Sequence, residues 1–384
     1  MQFDFATPTR VIFGAGTIGQ AGGIAREHGP HALVVTGRNG NRAGPLLESL
    51  AGVGMKTTTH SIRGEPTIDA IKAAVNDCRE AGCEVVIGFG GGSALDAAKA
   101  IAALATNPGD PLDYLEVIGK GQPLKYPPLP FIAIPTTSGT GSEVTRNAVL
   151  GSPDHKVKVS LRSPLMLART AIVDPALTLE LPPDVTASTG MDALTQCIEA
   201  FVSCRATPLT DAFSVEGIRR AARSLAGVVR EGSDLEARTD MAMASLCSGI
   251  ALANAGLGAV HGFAGPIGGM FPAPHGAVCA ALLAAVMETN LKALHARQPD
   301  SPVVRRFEEI ARLTLGRDDA TAEQGIQWVR ELRESLNIPG LNQWGIAASD
   351  APDIVRKAAV ASSMKGNPLQ LEESELRKTL LAAV

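Results

Sequence analysis

Residues 84–99 read EVVIGFGGGSALDAAK, and this stretch decides the fold. Glu84 to Ile87 is a short run rich in β-branched residues, Gly88 to Gly92 is a glycine-rich turn, and Ser93 to Lys99 opens a helix rich in Ala and Leu. Strand, glycine turn and helix in direct succession form a βα unit of a nucleotide-binding sheet. The glycines let backbone N–H groups approach a pyrophosphate at the positive end of the helix. Gly90, Gly91, Gly92 and Ser93 are the candidate contacts. Asp96, one turn further on, reads either as a hydrogen-bond partner near the nicotinamide or substrate, or as a first-turn carboxylate that steadies the helix dipole.

A second loop, PTTSGTGSEVT at residues 135–145, follows the apolar run Phe131 to Pro135. Its hydroxyls, from Thr136, Thr137, Ser138 and Thr140, suit phosphate and ribose contacts. A single Ser/Thr/Gly cluster is usually just a loop. Two such loops after neighbouring strands, at the carboxyl edge of one sheet, define a ligand site. A third candidate, Gly14-Ala-Gly-Thr-Ile-Gly19, matches GxGxxG but lacks the acidic residue expected about 20 positions later, where Gly37-Arg38-Asn39-Gly40 stands instead. A plain glycine turn explains it equally well.

Further strands are expected at Val11 to Phe13, Leu33 to Thr36 and Ala171 to Asp174, and amphipathic helices at Asp69 to Glu80 and Ala94 to Leu104. Alternating strands and helices predict a parallel sheet. Past Pro182-Pro183 the strand signals stop and helical patterns follow one another, as at Ala212 to Ala226 and Ser301 to Leu315. The expected architecture is an α/β nucleotide-binding domain over 1–182 and an all-helical domain over 183–384. The 384-residue length fits two domains.

Composition narrows the function. A net charge of −4, with no block of like charges, leaves no basic footprint for a nucleic acid or a membrane surface. Met241 to Met287 carries no Asp, Glu, Lys or Arg, but Gly and Pro interrupt it repeatedly, so it reads as buried helical core and not as a spanning segment. The opening residues MQFDFATPTR show no apolar stretch of signal-peptide length, and the six cysteines form no CxxC pair. A reduced, cytoplasmic setting and small-molecule chemistry are expected.

Candidate metal ligands lie in the second half. Asp192 and Gln196 are four apart and share one helix face. His261 and His275 are the only imidazoles in the uncharged stretch. A lone histidine in such surroundings is usually a core residue; two of them, with an acid nearby, form a candidate ligand set. Phe263, Ile267, Met270 and Phe271 are expected to give the substrate a mostly apolar environment.

Taken together, GGGSALDAAK, PTTSGTGSEVT, VDPALTLELPP (173–183), GMDALTQCIEAFVS (190–203), the His261–His275 segment and Gly366-Asn367-Pro368 resemble the iron-containing, or group III, alcohol dehydrogenases nearly end to end. Glycerol dehydrogenases, maleylacetate reductases and dehydroquinate synthases are the relatives of that family. The resemblance implies a dehydroquinate synthase-like fold, NAD or NADP as cofactor, a small alcohol or aldehyde as substrate, and a homodimer. It implies pyrophosphate binding at Gly90 to Ser93, ribose contacts at Thr136, Thr137 and Thr140, Asp96 near the nicotinamide, and Fe(II) or Zn(II) on Asp192, His261 and His275. His261 and Asp96 are then the candidate catalytic residues. Two departures stand out. Position 196 is Gln where the family has a ligating His, a neutral and weaker donor. Gly265 replaces a further His, which removes a proton relay and opens room. Where NAD-specific relatives carry an Asp after the second strand, Gly37 and Arg38 stand here, which predicts acceptance of NADPH through pairing of Arg38 with the 2′-phosphate.

Three other readings compete. Metal-free maleylacetate reductase-like enzymes typically lack the Asp that Asp192 retains. A dehydroquinate synthase-like lyase needs phosphate-binding Lys and Arg side chains that are not evident in the sequence. A non-catalytic nucleotide-binding module leaves the ligand set without a purpose.

Overall fold

The computed structural model describes residues 2–155 and 157–384. The chain forms two compact units: Ala6–Thr137 with Gly141–Thr178, and Leu179–Val384 with Ser138–Thr140 and the residues up to Phe5. The division after Thr178 lies a few residues before Pro182. Ser138–Thr140, part of the sequence region assigned to nucleotide binding, clusters with the second unit.

The first unit contains β1 (Arg10–Phe13), α1 (Ala21–Arg26), β2 (His31–Thr36), α2 (Gly44–Gly52), β3 (Lys56–Ser61), α3 (Ile68–Ala81), β4 (Val85–Gly90), α4 (Gly92–Thr106), α5 (Pro111–Tyr114), β5 (Phe131–Pro135), β6 (Asn147–Ser152), β7 (Val157–Arg162) and β8 (Thr170–Val173). Six strands form one parallel sheet in the order β1-β8-β5-β4-β2-β3. The central strands β2, β4 and β5 are buried along their whole length, because helices cover both faces. Leu33, Val35 and Val86 pack towards Ile71, Val75, Leu95 and Ile101 of α3 and α4. Val34, Ile87 and Ile132 pack the other way, onto Ile24, Leu46 and Leu50 of α1 and α2. All five strands expected from the sequence are present. β3 and the antiparallel β6–β7 hairpin were not expected. β3, KTTTHS, is a largely exposed edge strand and so carries no apolar alternation to reveal it.

The second unit is helical: α6 (Pro183–Val202), α7 (Pro208–Arg230), α8 (Leu235–Ala255), α9 (Ala259–Met270), α10 (His275–Arg297), α11 (Pro302–Leu315), α12 (Ala322–Ser335), α13 (Ala351–Ala359) and α14 (Glu373–Leu381). The uncharged run Met241 to Met287 supplies most of α8, all of α9 and the first half of α10. α10 is long and apolar enough to cross a bilayer, but 83% of its apolar window is buried inside the protein. Its residues Val278, Leu282, Leu283 and Val286 belong to one core with Leu194 and Ile198 of α6 and Val260 and Phe263 of α9.

Candidate active site

In the first unit, register aligns the carboxyl ends of three strands: Thr36 pairs with Phe89 and Gly90 with Pro135. The loops that follow are therefore neighbours. Thr136 N–H donates to Gly90 O at 2.9 Å. Gly90 has φ +156°, and a Cβ there would stand 2.7 Å from Ala94 Cβ and 3.4 Å from Gly37 N. Only glycine lets these backbones meet. A Cβ on Gly91 would lie 3.3 Å from Thr137 Cγ2. Gly37, Gly90, Gly91, Thr136 and Thr137 thus form one edge. Helix α4 starts at Gly92-Ser93 and has no side-chain cap, which leaves its first-turn N–H groups for an anion. Arg38 is exposed, immediately beyond Gly37. Ser138 Oγ, in the second unit, is buried without a hydrogen-bond partner, an atom that a ligand hydroxyl or phosphate would satisfy.

The first-unit residue Asp96 is already engaged. Its carboxylate accepts from the Ser142 hydroxyl at 2.5 Å and from Val149 N–H at 2.9 Å. Lys99, wholly buried, is surrounded by Ser142 O at 2.8 Å, Ser142 Oγ at 3.1 Å, Thr145 Oγ1 at 2.9 Å and Asn147 O at 2.7 Å. Together they bind the end of the second loop and strand β6 to α4. Burial pushes the Asp96 carboxyl up and the Lys99 ammonium down. The Gly14–Gly19 turn is self-contained: Thr17 N–H and Oγ1 bond to Gly14 O, and Ile18 N–H donates to Asp174 Oδ2 at 3.1 Å.

In the second unit, α6, α9 and α10 converge on one cluster. Asp192 comes from α6, His261 from the first turn of α9, and His275 from the start of α10. Cys279, four residues after His275 and so on the same face, completes it. The four ligand atoms lie within 4.8 Å of one another. His261 Nε2 is 3.3 Å and His275 Nε2 3.8 Å from Asp192 Oδ1. Cys279 Sγ is 3.7 Å from each imidazole Nε2. The His275 side chain is 38% exposed, while those of Asp192 and His261 are nearly sealed. The helices come this close because residue 276 has no side chain: a Cβ there would fall 2.1 Å from Ser188 O and 3.3 Å from Asp192 Cβ.

Glu199, on α6, holds His261 in place. Its Oε2 accepts from His261 Nδ1 at 2.6 Å, and its Oε1 accepts from Val260 N–H at 2.7 Å. It therefore caps α9, whose Gly258 offers no side chain, and orients Nε2 towards the cluster. Asn367 of the Gly-Asn-Pro motif completes the cap by accepting from Ala259 N–H at 3.1 Å. Sequence reasoning found neither role. A carboxylate seven positions beyond Asp192 was the available signal for Glu199.

Gln196 does not point its carbonyl oxygen into the cluster. That oxygen accepts from Ser248 Oγ at 2.7 Å, and the side chain hydrogen-bonds Asp192. Cys279, and not the Gln196 oxygen, lies beside Asp192, His261 and His275 in this arrangement. Of the four aromatic or apolar residues expected around the substrate, Phe263 and Ile267 are fully buried in the core, and only Met270 and Phe271 keep partial exposure. A Cβ at Gly265 would meet nothing within 4 Å, so the space expected there exists.

Burial opposes charge throughout the cluster, yet the partners prevail. Asp192 is held below the usual carboxylate range by His275, His261 and Gln196. The two imidazoles also lower the Cys279 thiol. His261 is raised well above its ordinary value by Cys279, Asp192 and Glu199, and His275 is raised by Cys279 and Asp192. A carboxylate, a thiol and two imidazoles thus face one another with little solvent between them. One acid, two imidazoles and a thiol within 4.8 Å of one another are the donor types that hold a divalent cation, so the set fits one.

The sequence profile of the family described as iron-containing alcohol dehydrogenase matches residues 8–175, and that of its C-terminal region matches residues 186–384. Choline dehydrogenase of Bacillus subtilis (strain 168) is 33% identical over 375 residues, covering 96% of this chain and 92% of that protein. A crystal structure of 1,3-propanediol oxidoreductase superposes with a TM-score of 0.93 at 33% identity over the full length of both chains. Sulfoacetaldehyde reductase from Bifidobacterium kashiwanohense, solved in complex with NAD+, superposes with a TM-score of 0.87 at 28% identity over 100% of this chain and 99% of that one. With both halves matched and the ligand-bearing helices converging, the chain belongs to the iron-containing alcohol dehydrogenase family.

Proposed function

We propose that this oxidoreductase moves hydride between a small alcohol or its carbonyl compound and NAD(H) or NADP(H), with a divalent cation held by Asp192, His261 and His275. The convergence of that buried acid with two imidazoles, one of them fixed by Glu199, carries the reading. The cation supplies Lewis acidity towards the substrate oxygen, and the nicotinamide supplies the hydride acceptor or donor. The protein's own residues bind and orient. Glu199 accepts the Nδ1 proton of His261 and so leaves the Nε2 lone pair for ligation. The uncapped N–H groups around Gly90, Gly91, Gly92 and Ser93 take the pyrophosphate, with Thr136, Thr137, Ser138 and Thr140 as ribose and phosphate contacts. Asp96 is a positioning residue, since its oxygens fix Ser142 and Val149. The partly exposed Met270 and Phe271 and the space at Gly265 favour a small or medium apolar substrate group.

Cofactor preference follows from Gly37 and Arg38. No acid stands there to repel a 2′-phosphate, and the exposed guanidinium of Arg38 attracts one, so NADPH is used at least as well as NADH. All six cysteines are free, which supports a reduced, cytoplasmic setting. A homodimer rests on family resemblance alone; light scattering tests it. The functional test is chelation, followed by re-addition of Fe(II), Zn(II), Mn(II) or Ni(II), with aldehyde reduction followed by nicotinamide absorbance. Activity should vanish and return. If the stripped enzyme keeps full activity, the metal-assisted reading falls, and a reductase whose histidines bind a substrate carboxylate replaces it.

A further inference from the structure

We propose that Cys279, and not Gln196, is the fourth protein ligand, so that the centre is an Asp192–His261–His275–Cys279 set suited to zinc. This inference rests on the metal-assisted reading above. Three observations carry it. The first is geometry. With ligand distances of about 2.0–2.1 Å for N and O donors and about 2.3 Å for sulfur, a tetrahedral ion sets its donors about 3.4 Å apart for N and O and about 3.6 Å for S and N. The cluster gives 3.3 and 3.8 Å for the two N–O pairs. It gives 3.7 Å for both S–N pairs. Four of the six donor pairs thus stand near tetrahedral spacing, and all four donor atoms lie within 4.8 Å of one another.

The second observation is that Gln196 is committed elsewhere. Its oxygen accepts from the buried Ser248 hydroxyl, and its side chain is hydrogen-bonded to Asp192. Turning the oxygen inward would break the first contact and leave buried polar groups unpaired, a cost of about 1–3 kcal/mol for each such group. In its present pose it instead steadies the carboxylate that ligates. The third observation is burial. Cys279 is fully buried at the margin of the helical core, yet its sulfur faces two histidines and a carboxylate, and it has no cysteine partner for a disulfide. Spacing explains how it arrived there: His275 and Cys279 are four apart on α10, as Asp192 and Gln196 are on α6, so one helix can supply what the other lacks.

The chemical consequence is a change of charge and softness. One carboxylate and one thiolate neutralise a divalent ion, whereas an amide in the fourth place leaves a net positive site. A thiolate also favours zinc over the harder Mn(II) and Mg(II), and zinc stands above Fe(II) in intrinsic affinity. The cation should therefore be tightly held, and zinc should displace iron when both are offered.

The test uses purified full-length protein stripped by chelation and reloaded with Co(II) or with equal Zn(II) and Fe(II). Wild type should show a near-ultraviolet thiolate-to-cobalt charge-transfer band, bind one zinc per chain by ICP-MS, and show a sulfur neighbour at about 2.3 Å by zinc X-ray absorption. Cys279→Ser should lose the band and weaken binding by at least the roughly tenfold to hundredfold that loss of an outer-shell partner costs. Gln196→Ala should keep the band. The absorption measurement needs no variant and so stands even if Cys279→Ser folds poorly, which circular dichroism reports. If wild type binds cobalt without the band or the sulfur neighbour, this assignment is wrong while the metal-assisted reading survives. If wild type takes up no cation and chelation leaves turnover intact, both are wrong.

Discussion

Glu199→Gln is a near-isosteric change with a large expected effect. Glu199 uses two oxygens to accept from two buried donors, His261 Nδ1 at 2.6 Å and Val260 N–H at 2.7 Å. Glutamine has one oxygen and one NH2 group. If the oxygen faces Val260, the amide N–H confronts His261 Nδ1; the ring must then accept there and protonate Nε2, which removes the lone pair that ligates. If the oxygen faces His261, two donors meet at Val260 and the cap of α9 is lost. The second arrangement leaves buried donors unpaired, at about 1–3 kcal/mol, whereas the first keeps its hydrogen bonds and gives up ligation. In the first case the loss appears as metal affinity, roughly tenfold to hundredfold. In the second it appears as stability of the metal-free protein. Competition against a chromophoric chelator and thermal unfolding of the stripped protein read the two separately. A variant with unchanged affinity and unchanged stability would refute the role given to Glu199.

Other expectations concern parts of the molecule far from one another in sequence. Glu143, wholly buried, has its carboxyl pushed up to about 7 by burial, against an ordinary value of 4.5. Its stabilising contribution is thus complete below pH 4.5 and is lost as pH rises to about 7, a total of roughly 3 kcal/mol. Glu143→Gln should raise the melting temperature relative to wild type more at pH 8 than at pH 5; an equal effect at both would show that ionisation plays no part. Gly276→Ala places a methyl 2.1 Å from Ser188 O and forces α10 away from α6. It should destabilise by about 1–3 kcal/mol and lower kcat by roughly a hundredfold if the ligands move by about 1 Å; a kcat equal to wild type would contradict the packing account. A Cβ at Gly37 meets nothing within 4 Å, so Gly37→Asp introduces charge without a clash. It should turn the kcat/KM ratio towards NADH by about tenfold or more; a strong NADH preference in wild type, unaltered in the variant, would remove Arg38 and Gly37 from cofactor choice.

The sequence by itself determined the layered fold. Central parallel strands are buried on both faces, so VVIGFG and FIAIP show as unbroken apolar runs, and glycine-rich turns mark where they end. It also determined the candidates that depend on spacing along one element: the Gly90–Ser93 turn, the pairing of Asp192 with Gln196 on one helix face, and the two later histidines. The edge strand β3 escaped because exposure on both faces leaves no period to read. What tertiary structure alone decided is which candidates meet, since the partners come from α6, α9 and α10, and distance in sequence says nothing about approach in space. Only the packed helices show Gln196 turned to Ser248, Cys279 brought between two imidazoles, Glu199 reaching α9, and Asn367 capping a helix 108 residues before it. A ligand set is a property of atoms within a few ångström, and here Gly276, by letting two helix backbones touch, fixes which atoms those are.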